Sequence, residues 1–505
     1  MKKTIALVGC LLLVFHINGQ VDFKKLDAYY SKALKDWDIP GMSIAIVKDG
    51  KIVFSKGYGV KELGKPEAPD EHTLYAIASN SKAFTSAAIA QLVQEEKLSW
   101  NDKVRDYLPY FALYNPYVSQ ETNIRDLLSH RVGLKTFSGD LIWYRSTLGP
   151  EQIIRRVKFL PKSYDFRSGY GYSNVMFITA GEVMKAVTGK EWGQNIQERF
   201  LNPLGMTRTI TTTKELLKKG NAATPHGLIG DSHKPIEWED WQNVAATGGI
   251  ISSVRDMSQW MIFNLNHGIW GKDTLLTAAS RNMLWMPHNT FMIDHTSADK
   301  STHIRGYALG WSIADYRGRL RVGHTGGYKG MLSAVTLIPD EQLGVVVLTN
   351  GMKPLFAALV NYTVDAFLNA PLKDWSAEML ANYNKSNDTR AEERRKARVL
   401  NTKPSVDPSM YLGEYRAESY GTIAVKKAGN EMKISFEHTP TFTATLSHWH
   451  YDVWKMTWND PDLITWFPHA TVQFEMDNNN NVTGLAFDIP NNDFWFDEWR
   501  SEKIK

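Results

Sequence analysis

The chain has 505 residues, 43% of them hydrophobic and 22% charged, with a formal net charge of +4. That length exceeds one ordinary domain, and that composition excludes a largely disordered chain. Two of the positive charges, Lys2 and Lys3, stand at the extreme N-terminus, so the remainder is close to neutral and carries no basic stripe of the kind that binds nucleic acid.

The N-terminal stretch MKKTIALVGCLLLVFHINGQ has a short basic start, an apolar run from Ile5 to Phe15, and then small and polar residues. It reads as a signal peptide over residues 1–19, cleaved after Gly19. The expected destination is the periplasm or the exterior of a bacterial cell. Cys10 sits inside the apolar run, which argues against a lipoprotein anchor. It is the only cysteine, so the cleaved chain has no disulfide, no thiol nucleophile and no thiolate metal site. No later segment offers the roughly 18 apolar residues of a stable membrane span.

Residues 23–38 place Leu26, Tyr29, Tyr30, Ala33, Leu34 and Trp37 on one side of a helix. MSIAIVKDGKIVFSKGYGV then gives two apolar runs across Asp49-Gly50, a hairpin signal. In IASNSKAFT, Ser79 and Lys82 stand three apart, and Phe84, Ala87, Ala88, Ile89, Leu92 and Val93 follow at the spacing of an amphipathic helix. Positions i and i+3 share a helix face, so the two side chains are neighbours near its first turn. By itself the pair reads more simply as a capping serine and a surface lysine than as a nucleophile and its base. A long, mostly helical stretch runs to about residue 300. LRVGHTGGYKGMLSAVTLIPDEQLGVVVLTN gives three more strands, and a helix follows over 354–368. The expectation is an α/β (α+β) domain over 22–370: an antiparallel sheet built from both ends of the segment, flanked by helices, with a helical region inserted. Residues 371–405 are polar and read as a solvated helix or linker, punctuated by Pro404 and Pro408. From 406 to 505, short alternating strands between turns predict a small all-β barrel or sandwich.

Two further segments give Ser79 and Lys82 a context. FRSGYGYSNVMFITAGEVM contains Tyr172-Ser173-Asn174 ahead of a helix, and RVGHTGGYKGM contains His324-Thr325-Gly326 on a strand. In this order the three resemble the active-site elements of the penicillin-recognising serine enzymes: Ser-x-x-Lys, Tyr-x-Asn and Lys/His-Thr-Gly. The Tyr-x-Asn form is similar to class C β-lactamases, D-alanyl-D-alanine carboxypeptidases, D-aminopeptidases and family VIII esterases. The segments GMSIAIVKDGKIVFSKGYG, IRDLLSHRVGL, ERFLNPLGM, AATGGIISSVRDMSQWM and YALGWSI resemble stretches of the same family in the same order.

The resemblance implies a β-lactamase/transpeptidase-like fold and acyl transfer without a cofactor or metal. Ser79 would be the nucleophile. Lys82 and Tyr172 would move protons, and which of them is the base stays open. Asn174, His324, Thr325 and Gly326 would bind substrate. The backbone N–H groups of Ser79 and Gly327 would form the oxyanion hole. The substrate would be a small molecule or peptide, D-amino-acid-containing ones included, cut at an amide or ester bond. β-Lactam hydrolysis is the alternative, and a catalytically weak penicillin-binding or sensor module is a third reading. The oligomeric state is left open.

The chain departs from the family pattern at three places. His324 replaces the lysine of classical β-lactamases and is mostly neutral near pH 7. Ser168-Gly169 stands where Pro-Gly is usual. Arg131 occupies a site that is usually small or hydroxylated, and either binds a carboxylate or points outward. His130 reads as a structural hydrogen-bonder. The C-terminal segment resembles a lipocalin-like barrel appended to some members. In it His448 and His450 alternate on one strand face, a spacing open to a metal but more simply that of polar neighbours.

Overall fold

The computed structural model describes residues 21–504 apart from 231, 295, 297–300 and 386–389. The leader read over 1–19, with Cys10, lies outside the described residues. Among the described residues no helix is long and apolar enough to cross a membrane.

Helix α1 (Phe23–Asp36) starts where the Asp22 carboxylate accepts the N–H groups of Lys24 and Lys25. Strands β1 (Gly41–Lys48) and β2 (Lys51–Gly59) meet at Asp49-Gly50, both at positive φ, as a tight two-residue hairpin demands. Far along the chain come β3 (Asn289–Phe291), β4 (Arg305–Tyr307), β5 (Ser312–Tyr316), β6 (Arg319–Tyr328), β7 (Met331–Ile338) and β8 (Leu343–Thr349). Together they form one eight-stranded sheet in the order β2-β1-β8-β7-β6-β5-β4-β3, antiparallel at every pairing. The two ends of the domain therefore pair directly, with Met42 opposite Thr349. Strands β3 and β4, the last two of the sheet, carry little periodic signal because each is three residues long.

Successive side chains of β1 and β8 feed opposite faces of the sheet. Ile44, Ile46, Val345 and Val347 join α1 and the helix Leu355–Phe367 on one face. Ala45, Val47, Val346 and Leu348 join the inserted helical region on the other. In that region lie the helices α2 (Ser81–Gln94), α3 (Asn174–Thr188) and α4 (Val254–Leu265).

Helix α2 corrects one expectation. It is not amphipathic: every residue from Ser81 to Leu92 is buried. Helices over 174–188, 192–196, 245–248 and 278–285 surround it, so it is the axis of its layer. Its small residues, Ala83, Ala87, Ala88 and Ala90, let those neighbours approach from all sides.

The polar stretch after the sheet folds as two helices, Trp375–Lys385 and Arg390–Ala397. It is anchored at both ends. Trp375 is buried and donates to Asp365, while Arg398 stacks on Trp449 of the C-terminal region and donates to its carbonyl.

Eight strands between Gly413 and Lys503 close into an antiparallel barrel, the first pairing with the last. Its interior is filled by Tyr411, Tyr415, Tyr420, Phe436, Trp458, Phe474 and Trp499, all buried, as eight strands enclose just enough room for side chains. The barrel core runs on into the core of the first domain as one cluster, joined where Tyr144 packs on Phe494 at 4.7 Å between ring centres. The His448–His450 strand is bulged between the two histidines, so they do not alternate regularly. Instead His448 Nε2 meets the Tyr451 carbonyl, and His450 Nδ1 accepts the Val399 N–H.

Candidate active site

Ser79 lies in a single 3-10 turn, Ala78–Asn80, that leads directly into α2. The turn is strained, since buried Ala78 sits at φ +46°. Its neighbours hold it there: Asn80 Nδ2 donates to Ser333 Oγ at 2.8 Å, and Ser333 Oγ donates to the Ile77 carbonyl at 2.7 Å. Strand β6 presses against the same turn at Gly326. A Cβ there would lie 2.2 Å from the Ile77 carbonyl oxygen and 2.5 Å from Ser333 Oγ, so only glycine lets the strand approach.

Lys82 is fully buried, and its Nζ is 3.1 Å from Ser79 Oγ, 2.8 Å from Asn174 Oδ1 and 2.8 Å from the Thr247 carbonyl oxygen. The Tyr172 ring stands 4.8 Å from the same Nζ. Asn174 is held on both sides, donating from Nδ2 to Asp140 Oδ2 at 2.6 Å and accepting the Thr247 hydroxyl at 2.7 Å. Asp140 in turn accepts the Trp143 indole N–H at 2.8 Å. A continuous polar chain therefore runs from Ser79 through Lys82 and Asn174 to Asp140.

Burial sets the charge states. It holds the Lys82 ammonium well below lysine's ordinary range, against the opposing pull of Asp140. It pushes the Asp140 carboxyl up to about 8, against its hydrogen-bond donors and Lys82. Burial also keeps the Tyr172 phenol well above its ordinary value, with the Ser79 hydroxyl beside it acting in the other direction. The Tyr172 hydroxyl makes no well-formed hydrogen bond. It is a poised donor against Ser79, a contact of the kind that tightens when substrate binds.

His324 is buried and lowered to about 4, first by burial and then by the Lys82 charge. Its Nδ1 is 2.6 Å from the Thr325 carbonyl oxygen, which can only accept, so Nδ1 carries the proton. Nε2 then accepts the Tyr307 hydroxyl at 2.9 Å. The ring is neutral and both nitrogens are occupied. Thr325 and Gly327 face out from β6 and line the cleft beside Ser79.

The cleft, about 440 Å³, brings together Ser79, Tyr172, Asn174, His324, Thr325 and Gly327. Gly326 stands just behind, against the Ser79 turn. A larger groove of about 700 Å³ beside Trp192 and Thr211 holds none of these residues. Arg131 does not reach the cleft: its guanidinium is tied to buried Asp126 at 2.7 Å, and Asp126 also pairs with Arg167. His130 accepts the Ser173 N–H at 3.0 Å and packs its ring on Tyr172, which is a structural part.

Sequence reading passed over Asp140, Thr247 and Tyr307. Thr247 and Tyr307 stand within AATGGIISSVRDMSQWM and YALGWSI, segments that carry the family resemblance. Asp140 follows Gly139 at φ +82° and opens a single-turn helix, Asp140–Trp143, too short to show a periodicity, so only the fold reveals it. Three barrel-side residues, Trp466, Asp493 and Phe494, also line the cleft, and no motif announced them.

Comparison with known proteins agrees with the geometry. A family model described as beta-lactamase matches residues 26–370. The chain belongs to the beta-lactamase family of serine hydrolases. A second model, a domain of unknown function called DUF3471, matches residues 397–503.

Among relatives, the chain is 30% identical over 373 residues to an unguisins hydrolase, ungD', of Aspergillus campestris (strain IBT 28561), covering 70% of this chain and 68% of that protein. It is 29% identical over 348 residues to the unguisins hydrolase ungD of Aspergillus violaceofuscus (strain CBS 115571), covering 63% and 59%. It is 27% identical over 369 residues to protein flp of Staphylococcus aureus (strain MRSA252), covering 71% and 69%. The octameric penicillin-binding protein homologue from Pyrococcus abyssi superposes with a TM-score of 0.60 at 20% identity, over 95% of this chain and 100% of that one. At that identity the likeness concerns the fold.

Proposed function

We propose that this protein is an exported serine hydrolase that forms an acyl-enzyme on Ser79 and cleaves amide or ester bonds of small substrates. The carrying observation is the surroundings of Lys82 Nζ. A neutral amine has two hydrogens and one lone pair. The Asn174 and Thr247 oxygens take the two hydrogens, which turns the lone pair toward Ser79 Oγ. Lys82 is thus set to receive the serine proton.

Ser79 Oγ attacks the substrate carbonyl carbon as its proton passes to Lys82 Nζ. The carbonyl oxygen takes the negative charge between the N–H groups of Ser79 and Gly327, donors that need no reorganisation. On collapse the bond to the leaving group breaks, and the leaving atom takes a proton from the Tyr172 hydroxyl, which Lys82 replenishes. Water then repeats the sequence on the acyl-enzyme. Asp140, protonated below about pH 8, leaves Lys82 free to stay neutral. Above that pH its charge draws the proton back to Lys82, so activity rises as Lys82 deprotonates and is opposed as Asp140 ionises.

The neutral, doubly bonded His324 favours peptidase or esterase action over strong β-lactamase action, because it offers no fixed cation for a substrate carboxylate. The leader read over residues 1–19 supports export. Labelling with a fluorophosphonate or fluorescent penicillin, located by mass spectrometry, is the test. Label on Ser79 that disappears in Ser79→Ala is expected. An unlabelled wild type, or equal labelling of the variant, refutes the nucleophile. In a panel of nitrocefin, p-nitrophenyl esters and D-amino-acid amides, dominant nitrocefin hydrolysis overturns the reading of His324.

A further inference from the structure

The cleft is closed on one side by the barrel. In the segment Asn491–Phe494, Asp493 and Phe494 form part of its wall. The loop is stiff by its own bonding. Asn491 Oδ1 accepts the N–H groups of Asp493 and Phe494, and Asn491 Nδ2 donates to the carbonyls of Ile489 and Phe494. Asp493 is held in place by its backbone while its carboxylate makes no hydrogen bond or ion pair with any described residue. The carboxyl is solvent-accessible yet crowded, and burial raises its proton affinity, with no cation among the described residues to offset it.

The other charges of the cleft are already neutralised. Lys329 is buried and paired with Asp462 at 2.5 Å and Glu239 at 3.3 Å. His324 is neutral, and Lys82 and Asp140 are bound into the catalytic chain. Among the described residues of the cleft, what remains is the unanswered negative charge of Asp493 among aromatic walls, with Trp143, Tyr144, Trp241 and Trp466 on the same surface. A carboxylate beside aromatic faces suits a cation, by ion pairing and by cation–π attraction.

Resting on the hydrolase reading above, we propose that Asp493 is a substrate subsite supplied by the barrel for a protonated primary amine, so that the preferred substrates carry an ammonium group. The ammonium belongs either to a free α-amino end or to a basic side chain, and the assay separates the two. Binding is read first, without turnover, from the fluorescence of the cleft tryptophans. Alaninamide carries the α-amine, 6-aminohexanamide carries the distal amine, and each is paired with its N-acetyl analogue. At least one amine should bind about tenfold more tightly than its acetylated partner, and the difference should shrink with added salt. Asp493→Asn should reduce it to within about twofold of unity, and Asp493→Glu should keep part of it, melting curves serving as the control for folding.

The matching p-nitroanilides then report the same preference in kcat/KM. Equal binding of amine and acetylated ligand by the wild type, or a preference that survives Asp493→Asn, overturns the subsite. Amine-selective binding without Ser79-dependent turnover would instead uphold the subsite and overturn the hydrolase reading.

Discussion

In the barrel, the hydroxyls of Tyr411, Tyr415 and Tyr420 all end on protein partners: Asp452, the Tyr411 carbonyl and Thr439. In the cleft, the Tyr172 hydroxyl ends on nothing well formed. Both places are rich in aromatic rings and both are built around buried polar atoms. The barrel resolves its tyrosines internally and is filled solid, while the cleft leaves donors poised, holds Ala78 at positive φ and keeps about 440 Å³ open. Two barrel indoles, of Trp454 and Trp499, also lack acceptors, but Trp499 lies among rings, including Tyr420 at 4.2 Å. An unpaired group next to open space has chemistry to perform, whereas one enclosed by rings is only packed.

The largest effect separates activity from stability at a single buried residue. Lys82→Met keeps the shape and removes the base, so kcat/KM should fall by about 10³-fold, within the range of general-base contributions. Stability should not fall, because burying an amine costs free energy that a thioether does not incur. Steady-state kinetics beside a urea melt checks both. A loss of stability of the kind seen in core truncations would mean that Lys82 is a structural residue.

The reverse holds for Trp499→Ala in the barrel. Truncating a fully buried indole should cost about 3 kcal/mol or more of stability, with kcat of the still-folded protein little changed. Calorimetry with activity measured well below the transition decides this. A kcat loss equal to that of Lys82→Met would show that the barrel core and the cleft are not separable.

Much of this was legible in the sequence, and the missing parts share a cause. The hairpin at Asp49-Gly50, the building of the sheet from both ends of the first domain, and the meeting of Ser79, Lys82, Tyr172 and His324 followed from turn chemistry, periodicity and three motifs. Helix α2 misled because burial on all sides erases the polar stripe from which amphipathicity is read. Asp140 and Asp493 were invisible because one opens a single-turn helix and the other sits in a loop, and what matters about them is their place beside residues more than 30 positions away. Such contacts are properties of the fold and leave no local pattern.

The interface between the two regions offers a smaller effect. Glu498, from the barrel, accepts from Ser138 Oγ at 2.5 Å and from the Gly139 N–H at 2.9 Å. Trp495 donates to the Thr136 carbonyl at 2.6 Å. The gripped loop binds Tyr172 through Thr136 Oγ1 and the Phe137 N–H, and it carries Asp140. Glu498→Ala should loosen both and lower kcat about tenfold, with Glu498→Gln recovering most of it. Burial raises the Glu498 carboxyl to about 7, above its ordinary value of roughly 4.3. Its protonated form therefore favours the folded state fully below about pH 4.3, and this contribution is lost as pH rises through about 7. Wild-type stability should fall more than that of Glu498→Gln between pH 5 and pH 8, and equal slopes in urea melts would refute the shift.

The smallest effect belongs to the barrel histidines. Among the described residues no group of three histidine, cysteine, aspartate or glutamate side chains is arranged to hold a metal ion. The bulge turns His450 to the Val399 N–H and leaves His448 with the Tyr451 carbonyl. Each bond is worth about 0.5–1.5 kcal/mol. His448→Ala should shift stability by no more than about 1.5 kcal/mol, and zinc or EDTA should leave the melting temperature unchanged. A zinc-dependent rise in melting temperature that disappears in His448→Ala would replace a pair of hydrogen-bonded neighbours with a ligand pair. It would also make the barrel the more chemically active of the two regions.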